Sequence, residues 1–346
     1  MSGAPFRMLR APRMLVYRQV RERGVAVITA LLLTTLAVTI VASLFWQQQV
    51  QVRSIENQRL QLQKEWILRG ALDWARLILR EDAKYSATDT LDEPWAVPLS
   101  DTRLNQYVEE GQADADAADA SLSGGILDAQ SRYNLTNLAP NGVINPAEVS
   151  VFERLLTALR LDPALAKATA DMIAASSTRA AGSALTNGST TGGTAAGSTG
   201  GATGPVVSGT PTSLPLTQVD DLLAVPGFAP QAVDSLRNFV IFLPRVTPVN
   251  VNTAPAEVLA ARIASMSTGD AAVLVAARKS APFRDLADLA QRMPGKSVSA
   301  SSAELSVATS FFLVNGDVKM RRAGLQVQAL VERTGATTRL VWVREY

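Results

Sequence analysis

Histidine and cysteine are both absent from this sequence of 346 residues. Without them there is no Ser-His-Asp or Cys-His nucleophile and no disulfide framework. No zinc, haem or iron–sulfur site of the usual His/Cys type can form either. Carboxylate pairs, Ser-Lys dyads and oxygen-ligated calcium remain open. Aromatic residues are sparse, at 5%, yet 47% of the chain is apolar, enough for a sizeable core. An excess of basic over acidic charge is confined to one place. Residues 1–24 hold six arginines against a single glutamate, while the whole chain nets only +2. The pI near 9.0 thus belongs to the N-terminal segment. The body carries a slight acidic excess, unlike a nucleic-acid-binding domain.

Charged residues are also missing from Val25 to Trp46, a run of 22 residues. That length suits a helix crossing the hydrocarbon core of a bilayer. Arginines before it and Gln47–Gln49 after it put the N-terminus in the cytoplasm. A cleaved secretory signal would have a shorter apolar core and a small-residue cleavage motif after it. The segment therefore reads as a retained anchor. Beyond it, Leu60, Ile67, Ala71, Trp74 and Ile78 recur at helical spacing, with Leu68, Leu72, Ala75 and Leu79 beside them. One helix from Val25 to Asp82, roughly 85 Å long, and two helices broken near Gln47–Gln49 both satisfy the pattern.

Residues 83–132 contain Pro94, Pro98, Gly111, Gly124 and Gly125 and read as loops and short strands. Two helices are predicted over 146–175, the first starting at Pro146. From Ser176 to Leu214 the composition falls to Gly, Ser, Thr and Ala, with Arg179 the single charge; a disordered loop is expected. Thr217–Leu243 predicts two short helices around Pro226-Gly227. Thr253 is expected to cap a helix carrying Pro255 and Glu257 in its first turn. Pro282–Leu289 opens another. The C-terminal part alternates, with Leu325, Val327, Ala329 and Val331 on one face and a closing strand at Arg339–Val343. Asn315-Gly316 leaves a turn or a bulge open.

Arg21-Glu22-Arg23-Gly24-Val25 resembles a type IV prepilin processing site. The resemblance implies that an inner-membrane prepilin peptidase cuts between Gly24 and Val25 and methylates the new amine of Val25. Pilin-like subunits usually carry glutamate at the fifth mature position, where this chain has Thr29. The minor pseudopilin K family of type II secretion systems is the member that lacks it. An unpaired carboxylate in lipid is costly, so a subunit with no neighbour at that position does better without one. Asp128-Ala129-Gln130-Ser131-Arg132-Tyr133-Asn134-Leu135-Thr136-Asn137-Leu138 is similar to that family's D-x-x-G-R-[FY]-N-L-N-N-L block, with Ser131 and Thr136 as departures. Its Asp and Asn residues are expected to hold turns by side-chain-to-backbone bonds. Val249–Leu259 followed by Pro282–Leu289 resembles the family's helical insertion.

The resemblance implies an α+β fold: a long N-terminal transmembrane helix on a small antiparallel pilin-type sheet, with a large inserted α-helical (SAM-like) domain. The expected organisation is a basic leader at 1–24, a membrane span at 25–46, and helix continuation with the first sheet strands at 47–132. The insertion follows at 133–305, with its loop at 176–214, then closing strands at 306–346. The implied function is a non-enzymatic tip subunit of the periplasmic pseudopilus, in protein export. Its implied partners are the minor pseudopilins I and J, the prepilin peptidase and the inner membrane. A minor pilin of a type IV pilus is the alternative.

A membrane-anchored DNA-uptake protein is a further alternative, because the helix order echoes helix-hairpin-helix modules. Those grip phosphate through a Gly-φ-Gly hairpin and a basic patch. Here Ala264–Asp270 offers one glycine and an aspartate, so no nucleic-acid partner is expected. No cofactor is expected either. The family's acidic calcium loop is matched only by Asp171-Met172-Ile173-Ala174-Ala175-Ser176, which retains one acid. Asp114, Asp116 and Asp119 miss the EF-hand spacing and read as a solvated acidic segment. Ser302 and Lys296 lack the surroundings of a catalytic dyad.

Overall fold

The computed structural model describes residues 23–103, 120–186, 214–293, 301–320 and 323–346. The acidic cluster at Asp114, Asp116 and Asp119, Lys296 and all but the last two residues of the leader lie outside them. The chain divides into two units, residues 1–62 and 63–346. The helix α1 (Arg23–Tyr85) runs through Gln47–Gln49, so of the two patterns the single helix is the one formed.

Within the second unit α1 buries Leu68, Leu72, Ala75 and Leu79, which recur at spacings of four, three and four residues. Ile67, Ala71 and Ile78, from the other row of the predicted stripe, are half-buried at its margin, and Trp74 is 51% exposed. Leu72, Ala75 and Leu79 pack with Trp95 against Ile126, Phe312, Val314, Ala329 and Val331. Trp95 meets Phe312 edge-on with ring centroids 5.3 Å apart, and its indole N–H donates to Glu93 at 2.6 Å. That satisfies the one polar atom of a buried tryptophan.

Those apolar partners belong to an antiparallel sheet of five strands. They are β1 (Leu99–Arg103), β2 (Ala120–Asp128), β7 (Phe311–Met320), β8 (Ala323–Thr334) and β9 (Thr337–Glu345), in spatial order β1-β2-β7-β8-β9. Four short strands intervene in the chain: β3 (Tyr133–Asn134), β4 (Val240–Ile241), β5 (Val249–Asn250) and β6 (Leu305–Ser306). Asn315-Gly316 is no turn. β7 runs straight through it, because Gly316 faces Gly124 of β2 on one side and Val327 of β8 on the other. The opposite face of the sheet packs Phe311, Leu313 and Leu330 against Ile241 and Leu243.

Between β2 and β7 the chain leaves the sheet and builds a helical body. It contains α2 (Pro146–Ala158), α3 (Leu165–Thr186), α4 (Pro230–Leu236), α5 (Ala256–Arg262), α6 (Thr268–Arg278) and α7 (Leu286–Gln291). Asn145 caps α2 and Asp285 caps α7, each accepting from a backbone N–H of the first turn. The core gathers Leu135, Leu138, Phe152, Leu155, Leu222, Leu236 and Val251, all essentially inaccessible to solvent. Two parallel pairings, β3 with β4 and β5 with β6, hold the body's entry and exit near the sheet.

Two expectations need correction here. The segment expected as a loop from Ser176 is helical as far as Thr186, since its alanines are the strongest helix formers; residues 187–213 lie outside the described set. Thr253 does not cap α5. The helix starts after Pro255 with no side-chain cap, and the Thr253 hydroxyl is committed to a tertiary bond described below.

Candidate functional site: the anchor and the seam between sheet and insertion

Gly24 and Val25 lie in the first turn of α1, and every residue from Val25 to Gln49 is exposed. This is the one stretch among the described helices long and apolar enough to cross a membrane, and none of it is buried within the chain. Its threonines are internally satisfied. Thr29 donates to the Ala26 carbonyl at 3.0 Å, and Thr34, Thr35 and Thr39 bond back three residues in the same way. Hydroxyls that complete their own bonds cost little in hydrocarbon, whereas a carboxylate at residue 29 would have no such recourse.

A second concentration of polar groups sits where the sheet meets the insertion. Asp128 ends β2 and is buried. Its Oδ1 accepts from Gln130 N at 2.7 Å, the turn role expected of it. Its Oδ2 accepts from Asn250 Nδ2 at 2.8 Å and from the Thr253 hydroxyl at 2.5 Å. Burial pushes the carboxyl up to about 6 against the pull of these bonds. Nearby, Arg333 of β8 is the hub of an ionic cluster. One nitrogen donates to Asp82 of α1 at 2.7 Å, the other to Asp89, and the guanidinium lies 4.6 Å from the Phe312 ring centre. Desolvation is the largest influence on both aspartates and raises their pKa values.

Asparagines do the remaining stitching. Asn134 accepts from Leu243 N and from Thr136 N, as expected, and donates to the Arg245 carbonyl. Asn137 exchanges two bonds with the Thr247 backbone, and Asn252 exchanges two with Phe283. Inside the insertion, Arg262 of α5 donates to both oxygens of Glu148 of α2 at 2.7 Å. Tyr133 donates to the same carboxylate at 3.0 Å. Sequence reasoning missed Asp89, Glu148, Arg262 and Arg333, because each works only through a partner distant in the chain. Buried amides in Val249-Asn250-Val251-Asn252 left a trace: polar residues alternating with valines in a short strand.

Metal ligation fits poorly at either acidic position. Asp171 lies on α3 and pairs with Lys167 at 2.7 Å, while Ile173 and Ser176 of the same stretch are buried. Asp82, Asp89 and Glu93 bring oxygens within 4.8 Å of one another. Arg333 already joins the two aspartates, and Glu93 accepts from Trp95 and from Thr90 N. Between α5 and α6, Ser267 and Asp270 form a reciprocal capping box, so a carboxylate occupies the amides that a phosphate would need.

Comparison with known proteins converges on one family. Two family models described as "Type II secretion system (T2SS), protein K" match residues 131–245 and 249–308, together about half of the chain. A type II secretion system protein K from Pseudomonas aeruginosa is 26% identical over 310 residues, covering 86% of this chain and 85% of the relative. The fold resembles a chain in the crystal structure of the GspK-GspI-GspJ complex from enterotoxigenic Escherichia coli. That match has a TM-score of 0.59 and 20% identity, over 85% of this chain and 99% of that one. A long N-terminal helix, an antiparallel sheet and a helical body inserted between its strands accompany these matches, and the chain belongs to the protein K family of type II secretion systems.

Proposed function

We propose that this chain is the minor pseudopilin at the tip of the periplasmic pseudopilus, acting by association and not by catalysis. Prepilin peptidase removes residues 1–24 and methylates Val25, and Val25–Trp46 holds the protein in the inner membrane with its body in the periplasm. The sheet is of the pilin type, and the SAM-like insertion is bulky enough to prevent another subunit from stacking above it. GspK is complexed with GspI and GspJ in the related solved structure; the corresponding minor pseudopilins are the partners proposed for this chain.

The observation that carries this reading is the exposed apolar helix beginning at Val25, with a self-satisfied threonine at residue 29. Such a helix buries its surface only in lipid or against other helices. Protein K matches across the insertion favour a secretion system over a type IV pilus. The test is mass spectrometry of the protein from cells with active prepilin peptidase, together with co-purification of the I and J subunits. An N-terminal methyl-Val25 and recovery of both partners are expected. An intact leader, or a chain that comes alone from crosslinked membranes, defeats the proposal.

A further inference from the structure

The block Asp128–Leu138 has one charged side chain that the network above does not use. Its aspartate, asparagines and tyrosine all find partners, but the Arg132 guanidinium makes no hydrogen bond or ion pair among the described residues. Burial alone pulls its pKa down, with no neighbouring carboxylate acting the other way. An arginine taken partly out of water without a counterion is held at a cost that a bound anion recovers.

Arg132 opens onto a cavity of about 310 Å³ between the insertion and the sheet. Ile241, Phe242 and Leu313 supply apolar lining, and Trp342 and Arg344 come from β9. Arg344 donates to the Thr217 carbonyl at 3.1 Å and lies 4.1 Å from the Trp342 ring centre, again without a carboxylate. The third arginine there, Arg237, is neutralised by Asp220 and Asp234. Tyr346 also borders the cavity. Two uncompensated guanidinium groups thus share one half-apolar pocket. Beside it, β9 is the last described strand of the sheet, and apart from Arg76, which donates to the Thr338 carbonyl, no described strand pairs with its outer edge, where a strand can be added.

We propose that this cavity receives an acidic segment of a protein partner, with a glutamate or aspartate carboxylate pairing with Arg132 and the segment running along β9 past Arg344 and Trp342. Charge complementarity selects the carboxylate. The free strand edge, with tryptophan and arginine as anchoring types, selects a polypeptide over a small acid. The assignment stands on the pocket alone and does not require the tip reading.

The test uses the full chain in a non-ionic detergent and fluorescence anisotropy of a labelled, end-blocked peptide Leu-Glu-Val-Glu-Leu. Its counterpart with both glutamates replaced by glutamine is the control, and succinate is the small-acid competitor. The acidic peptide should bind about tenfold or more tightly than its control, with affinity falling as salt rises. R132Q should abolish that preference, R132K should keep part of it, and R344Q, at the sheet edge, should weaken binding severalfold. No binding of the acidic peptide, equal binding of the control, or indifference to both R132K and R344Q overturns the proposal. Displacement by succinate at the concentration of the peptide itself reassigns the pocket to small carboxylates and overturns the polypeptide. If R132Q fails to fold by circular dichroism, R132K and R344Q decide.

Discussion

The Thr253 hydroxyl donates to Asp128 at 2.5 Å, joining positions 125 residues apart in the chain. Asn250 donates to the same oxygen and also to the Asp89 carbonyl at 3.1 Å, so one amide ties the end of β2, the segment after α1 and the strand β5 together. The joint between sheet and insertion is therefore built on a carboxylate with donors around it but, among the described residues, no cation in contact. Arg278 feels its charge at longer range while donating to the Val251 and Ala254 carbonyls.

That arrangement makes stability depend on pH. Asp128 titrates at about 6 in the folded chain and near 3.9 when unfolded. Between those values the folded state holds a proton that the unfolded state has lost. The contribution is complete below about pH 4 and disappears as pH rises through about 6, on the order of 3 kcal/mol in all. Urea midpoints of the wild type should fall between pH 5 and about pH 7.5. In D128N that slope should flatten, although Asp82 and Asp89, also raised, leave some of it. Parallel curves for the two proteins would show that Asp128 is not the titrating group.

A second prediction concerns Arg333, which is buried with Asp82 and Asp89. R333L removes the only cation that touches both carboxylates in the described structure. It should cost about 3–5 kcal/mol near neutral pH, most of it from charges left without a partner. R333K should recover only part, because a compact ammonium lacks the planar spread of donors that reaches both carboxylates and the flat face that lies over Phe312. The penalty should shrink in acid, where both aspartates take up protons more readily than usual. Denaturation at pH 5 and pH 7.5 measures this. An equal loss at both values would mean that lost packing over Phe312, and not charge, is responsible.

Periodicity and composition made the long apolar helix, the inserted helices and the closing C-terminal strands legible, though not the order of the strands in the sheet. They did not say which of two adjacent rows on α1 meets the sheet. Ile67, Ala71, Trp74 and Ile78 are as apolar as the row that is buried, and the choice is made by where Trp95 and Phe312 sit. The capping pattern at Thr253 was a sound local signal overridden by Asp128. The helical residues 177–186 were hidden by averaging an alanine-rich start with the Gly/Ser/Thr tract after it. Ionic partners such as Arg333 and Asp89, 244 residues apart, leave no pattern in a single sequence.

Gly124 and Gly125 look alike in sequence and should not behave alike. A Cβ on Gly124 would collide with the backbone carbonyl of Asn315 across β2 and β7, whereas one on Gly125 meets only Pro98, at 3.7 Å. G124A should cost about 3 kcal/mol, since two central strands must part. G125A should be neutral, or stabilising by about 0.5–1 kcal/mol through the loss of glycine's freedom in the unfolded chain. Thermal melts of the pair give the comparison directly, and similar losses in both would refute the register assigned to β2 and β7.

Thr29 gives the last prediction. Its hydroxyl returns to the Ala26 carbonyl, so T29A removes a bond the helix does not need and should leave membrane insertion unchanged. T29E places a carboxylate in the exposed apolar run, four residues past Val25 and about 6 Å along the helix. The cost is up to about 3 kcal/mol for an acid deep in the bilayer and less near its surface. Without other pilin-like subunits, more of the T29E protein than of the wild type should be extracted from membranes by alkaline carbonate. Expressing a neighbouring subunit with a free N-terminal amine should reverse part of that loss, because the new carboxylate then has a cation to face. Full retention of T29E in membranes that lack any partner would mean that residue 29 lies in the headgroup layer, and the absence of an acid there would then need another cause.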